Sequence, residues 1–232
     1  MLRKLSRLVV ALAATVAFSN ASALFIMVDG FDGGPFDQTV TDGTRNGVAV
    51  VQALAGAPFS RSVSHDLLRC PGPGAFGFAT CTDSFTRMGS ASFDALEVNN
   101  GVLRDAQVKV LWTLPVGLVP TFLVGGQAEF YLDLLSSDSN PVSVTMLFNN
   151  IQVSPTFNVP PNTFNTVLVF SIPVVQQNAM NAGGTLELRL DGSNGWDFLL
   201  DSIGIQVPEP TSIALVGLAL LGAGVLSRRR KV

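Results

Sequence analysis

Histidine occurs once in this sequence, at His65, and cysteine only twice, at Cys70 and Cys81. That scarcity closes off most metal and nucleophile chemistry. A structural zinc site wants about four Cys or His ligands, more than the chain owns. A Ser-His-Asp hydrolase would have to use His65. Asp66 lies beside it, but the run Ser62-Val63-Ser64-His65-Asp66-Leu67 has no nucleophile-elbow pattern. A sole histidine on an amphipathic strand reads instead as a surface or hydrogen-bonded residue. Charge is scarce as well, at 13% of residues against roughly 25% in an average soluble domain. Low charge together with 16 Phe argues against a disordered chain and for a packed core. Lysine is nearly absent from the middle of the chain, where Lys109 stands alone. Seven of the 14 basic residues sit in the first seven and last five positions. The remaining seven face all 17 acidic residues, a net of -10 between the ends. An acidic body repels phosphate backbones, which excludes nucleic acid as a partner.

The ends are where the sequence speaks most plainly. Arg3, Lys4 and Arg7 precede an apolar run from Leu8 to Phe18, and Ala21-Ser22-Ala23 follows. A basic start, a short apolar stretch and an A-x-A site make residues 1–23 a signal peptide, with a mature start at Leu24. The apolar run is too short to cross a ~30 Å hydrocarbon core. The implied partners are an export translocon and a signal peptidase.

Residues 207–232 fall into three parts. Val207-Pro208-Glu209-Pro210 stays extended, because proline lacks an N–H and restricts its predecessor. A transmembrane helix is expected over 211–227, where Thr211 to Leu226 carries no charge. Arg228, Arg229, Arg230 and Lys231 then close the chain as a positive-inside, stop-transfer cluster. In this order, VPEPTSIALVGLALLGAGVLSRRRKV resembles the PEP-CTERM sorting signal of Gram-negative bacteria. The resemblance implies processing by an exosortase-type enzyme and transient anchoring in the inner membrane. Delivery to the surface or extracellular matrix of a polysaccharide-producing cell would follow. Pro208, Glu209 and Pro210 are then substrate residues of that processing.

Residues 24–206 show the period of two that buries one face of a sheet. Val142, Val144, Met146 and Phe148 alternate with polar residues, as do Leu186, Leu188 and Leu190. Val108, Val110, Trp112 and Leu114 share a face. Further strands are expected at Phe25 to Val28, Val48 to Ala53, Phe130 to Leu135, Val167 to Ile172 and Phe198 to Ile205. Turns such as Asp138-Ser139-Asn140-Pro141 and Asp191-Gly192-Ser193 separate them. Helix competes only as a single turn around Gln176 to Met180. Many short strands indicate one all-β domain, a sandwich or barrel. The stretch Asp29 to Asp42 and the last-strand run Leu200-Asp201-Ser202-Ile203 resemble jelly-roll carbohydrate-binding modules, which implies a jelly-roll sandwich.

Candidate sites in the body are few. Outside the inner membrane, Cys70 and Cys81 are expected to form a disulfide worth about 3 kcal/mol on a loop-entropy account. Glu97, Glu129, Asp133 and Glu187 are the carboxylates a glycosidase could pair, but their alternation reads as solvated strand surface. No cofactor is required. The jelly-roll resemblance raises a structural calcium held by Asp29, Asp32, Asp197 and Asp201, with turn-capping as the competing role for these aspartates. Trp196, after Gly195 in a turn, is the candidate platform for stacking on a glycan, whereas Trp112 belongs to the core. The expected protein is a non-enzymatic, exported surface component with a structural or adhesive role. A glycan-binding module is the alternative, and a secreted hydrolase is a second one.

Overall fold

The computed structural model describes residues 24–32, 36–40, 50–53, 60–69, 84–88, 94–101, 105–118 and 128–207. The expected signal peptide, the expected Cys70–Cys81 disulfide and the tail from Pro208 onward lie outside them. Among the described residues no helix is long and apolar enough to cross a membrane.

Two antiparallel sheets face each other. The first, sheet A, contains β1 (Leu24–Asp29), β2 (Phe36–Val40), β5 (Ser84–Met88) and β6 (Leu96–Asn99). It also holds β8 (Glu129–Ser137), β12 (Phe164–Ser171) and β14 (Asp197–Val207). Sheet B contains β3 (Val50–Ala53), β4 (Ser60–Arg69), β7 (Asp105–Leu114) and β9 (Val142–Phe148). Its remaining strands are β10 (Ile151–Gln152), β11 (Phe157–Val159) and β13 (Gly184–Gly192). The order in sheet A is β12-β8-β14-β6-β5-β2, with β1 on β14. In sheet B it is β10-β9-β13-β7-β4-β3, with β11 on β9. Among the described residues a helix, α1 (Val174–Asn181), joins the sheets where a single turn is expected from sequence.

Alternation produces this arrangement. In β7, Ala106, Val108, Val110, Trp112 and Leu114 point inward while their neighbours face out. Leu188 of β13 lies between Val110 of β7 and Met146 of β9, so three strands deliver one inward row. Sheet A answers with Phe130, Leu132 and Leu134 of β8. In β14 the inward residues are Phe198 and Leu200, then Ile203, Ile205 and Val207. The change from even to odd numbers follows register irregularities between Leu199 and Ser202. An extra residue there shifts the pleat, as a β-bulge does.

Strand β14 is central. One side pairs with β8 along nearly its whole length. The other side is shared, with β6 taking Asp197 to Leu200 and β1 taking Ile203 to Val207. Val207, read from sequence as part of the sorting motif, is also the last core residue of this strand, 1% exposed.

Two buried polar clusters tie the layers together. Asp29 accepts from Arg61 Nη1 at 2.8 and 2.7 Å, from Trp112 Nε1 at 2.8 Å and from the Phe31 N–H at 2.8 Å. The Arg61 guanidinium also lies 5.7 Å from the Phe31 ring centroid, within cation–π range. His65 of β4 bonds Asn100 Oδ1 at 3.2 Å and Thr86 of β5 at 3.0 Å, joining sheet B to sheet A. Buried polar groups are usually partnered, and both Asp29 carboxylate oxygens are; in the His65 cluster the Asn100 Oδ1 is engaged while its Nδ2 is buried without a hydrogen-bond partner.

Candidate functional site

At the end of sheet A where β14 begins and β6 and β8 stop, an open cleft of about 570 Å³ is lined by polar and acidic side chains, by the exposed ring of Phe164 and by the strand residues Val98, Phe198 and Leu199. Asp197, the first residue of β14, pairs with Asn99 of β6. The Asn100 N–H donates to Asp197 Oδ1 at 3.0 Å. Asp138 follows β8, and its N–H donates to the Asp197 carbonyl at 3.3 Å. Its own Oδ1 accepts the Asn140 N–H at 2.7 Å, the side-chain turn that Asp favours. The Asn162 N–H donates to the Asp138 carbonyl at 2.6 Å, which brings the β11–β12 loop onto this wall. Glu97 of β6 completes the acidic side.

Phe164 opens β12 opposite Ser136 and is 61% exposed at the cleft. It stands between Asn162 (φ 56°) and Asn165 (φ 45°), both in the left-handed region that asparagine tolerates better than most residues. Phe164 keeps the β8 pairing register that Leu168 and Phe170 follow farther along β12, yet it is exposed where they are buried.

The electrostatics follow from crowding. Burial raises the Asp197 carboxyl above its ordinary range. The Asn100 N–H opposes that rise, while Asp138 and Glu97 reinforce it. The cleft therefore offers hydrogen-bond acceptors in excess, amide groups from Asn99 and Asn162, and an apolar ring face. Those are the groups that hold a polyhydroxylated molecule: acceptors for its hydroxyls and a ring for its C–H face.

The residues singled out from sequence are distributed differently. Trp196 is not a platform. It is 0% exposed, its Nε1–H donates to the Ala106 carbonyl at 3.1 Å, and its indole packs where any Cβ on Gly192 would collide with it. Asp29 is enclosed by Arg61 and Trp112, so its oxygens are already spent on protein donors. It pairs opposite Ile203, six residues along β14 from Asp197, and the strand rise of about 3.3 Å per residue keeps these two aspartates roughly 20 Å apart. Asp32 is exposed beyond β1, and Asp201 is half-buried at the β14 bulge. The structure does not gather the four aspartates, and among the described residues no group of three His, Cys, Asp or Glu is placed to hold a metal. Trp112 is core as expected, and His65 is hydrogen-bonded but fully buried. Glu129 and Asp133 are half-buried strand residues. Glu187, expected to be solvated, is buried beneath Arg189, whose Nε donates to it at 2.9 Å.

Sequence reasoning passed over Phe164, Asn162 and Asp138 as ligand-facing residues. The available signal was Pro160-Pro161-Asn162-Thr163, a turn cluster directly before an aromatic residue.

Comparison with known proteins bears on the tail and the body separately. Residues 206–231 match the PEP-CTERM protein-sorting motif. Among curated proteins none matches the sequence. The body is similar to a family 11 carbohydrate-binding module from Clostridium thermocellum, solved with a β-1,3-1,4-mixed-linked tetrasaccharide. The identity is 10%, the match covers 82% of this chain and 99% of that one, and the TM-score is 0.34. It is also similar to a family 35 carbohydrate-binding module of the same organism, at 8% identity, 79% and 98% coverage and a TM-score of 0.33. A Stig cyclase from Fischerella sp. TAU gives 10%, 82% and 99%, with a TM-score of 0.38. The sandwich itself is established by its own strand pairing. The motif implies an exported protein sorted to the cell surface. The chain thus carries a PEP-CTERM protein-sorting motif at residues 206–231, directly behind a two-sheet β-sandwich.

Proposed function

We propose that this surface-sorted chain is an adhesive component of the extracellular matrix, and that its sandwich binds glycan in the cleft at the start of β14. The observation that carries this reading is Phe164, an exposed ring set among Glu97, Asp138, Asp197 and Asn162. An isolated exposed ring is unremarkable on a protein surface. An exposed ring flanked by two left-handed asparagines and set beside convergent acceptors has the form of a ligand site. In this reading the tail helix over 211–227 holds the chain in the inner membrane after the signal peptide is removed at Leu24. An exosortase-type enzyme then cuts at or near Pro208-Glu209-Pro210. The acidic cleft selects uncharged or cationic sugars over anionic ones, because three carboxylates repel a uronate or sulfate. No cofactor takes part, and the carboxylates bind rather than hydrolyse.

A glycan array probed with the exported body, beside Phe164→Ala, tests this. Binding to neutral glycans that is lost in the variant supports the reading. Binding that survives Phe164→Ala removes the cleft from it. Release of new reducing ends from a bound glycan moves the protein to the hydrolases.

A further inference from the structure

The opposite end of the sandwich, from which both chain ends leave, has a different surface. Here β14 ends at Val207, paired with Leu24 of β1. The same end carries the turn after β7 and helix α1, joined by the Gly117 N–H donating to the Asn181 carbonyl at 2.8 Å. At this tip Val116 is 78% exposed and Val175 73%, with Val174 also exposed. On β1, Phe25 and Met27 project from the outer face of sheet A. Phe25 lies across Gly204, where a Cβ would collide with its ring, and meets Tyr131 edge-on at 6.3 Å. Apart from Ala179 and the buried Met180, the rest of α1 is polar and uncharged: Gln176, Gln177, Asn178 and Asn181. An apolar tip of this kind, left in water, forgoes about 25 cal/mol for each Å² it might bury.

The length of the connector says what covers it. Only Pro208, Glu209 and Pro210 stand between Val207 and the uncharged run that starts at Thr211. Three extended residues reach about 10 Å. The headgroup layer beyond the hydrocarbon core is itself about 6 Å deep on each side. The tip therefore stands within about 4 Å of the headgroup layer of any bilayer that holds the tail, close enough to enter it.

We infer that Val116, Val174 and Val175, with Phe25 and Met27 beside them, dock into the phospholipid headgroup layer of the membrane that holds the tail. Surface-lying apolar faces bury to about this depth. The docked sandwich stands upright. Its cleft lies ten residues along β14 from the tip, about 33 Å away, and opens outward from the bilayer. This inference rests on the reading that residues 211–227 enter a bilayer.

The test uses the full chain reconstituted into phosphatidylethanolamine/phosphatidylglycerol vesicles, with p-benzoylphenylalanine placed singly at positions 116, 175 or 164. Flotation is measured first, then photo-crosslinking to lipid, with thermal unfolding to confirm that each variant is folded. The expected result is flotation of all three, with lipid adducts at 116 and 175 about ten-fold above those at 164. A chain that floats but gives equal yields at the three positions, or crosslinks to a second copy instead, overturns the docking and leaves the anchor standing. A chain that does not float overturns the anchor, and the docking falls with it.

Discussion

Leu24 and Val207 are register partners in the β1–β14 pair. The residue expected to begin the mature chain therefore lies beside the last residue before Pro208-Glu209-Pro210. The sorting motif and the expected signal peptide both adjoin this point of sheet A, and no linker separates the motif from the fold. Because β1 pairs with β14, the strand that begins the body is seated only once the last strand is present. Val207 is thus a structural residue as well as part of the sorting motif. Val207→Ala removes two buried methyl groups and is expected to cost about 2 kcal/mol, read as a lower urea midpoint at unchanged slope.

The Asp29–Arg61 pair anchors the other end of β1 to sheet B. Arg61→Ala leaves the Asp29 carboxylate buried with only the Trp112 and Phe31 donors. The expected loss is about 3–5 kcal/mol by denaturant unfolding. The joint change Asp29→Leu with Arg61→Met, which removes both charges, is expected to recover most of it.

His65 works as a bridge between the sheets. His65→Ala abandons Asn100 Oδ1 and the Thr86 hydroxyl in the interior and is expected to cost about 1–3 kcal/mol. Glycan binding by the folded fraction stays unchanged, since the ring is fully buried.

Asp197 gives the cleft a pH signature. Its carboxyl is raised by burial and by its acidic neighbours, so the fold favours its protonated form. The stabilisation from that proton is complete below the unfolded-state value and is lost as pH rises through the folded one. Asp197→Asn keeps an acceptor for the Asn100 N–H and removes the charge. Its stability curve is expected to lie above the wild type at neutral pH and to converge with it in acid, measured as Tm against pH.

The extent of the fold that was legible from sequence follows a physical line. Strands such as β7, β9 and β13 showed in the alternation of Val, Leu and Trp, because burial on one face writes itself at period two. The β14 bulge broke that period, so Asp201 and Ser202 looked like a motif rather than an irregular pleat. Trp196 followed a glycine in a turn and looked exposed; only the fold shows Gly192 clearing space for its indole. Asp29 resembled a surface cation ligand because its partner Arg61 is distant in sequence and joins it only when the sheets face each other. Phe164 was hidden for the opposite reason. Its run reads as ordinary strand, at the same parity as buried Leu168 and Phe170, so nothing periodic marks it as exposed.

The central claim is that Phe164 and its acidic neighbours bind glycan, and calorimetric titration of the exported protein with a neutral matrix polysaccharide tests it most directly. The account predicts saturable binding that weakens about ten-fold in Phe164→Ala, equivalent to about 1.4 kcal/mol, at unchanged Tm. Absence of binding, or equal affinity in the variant, would contradict it.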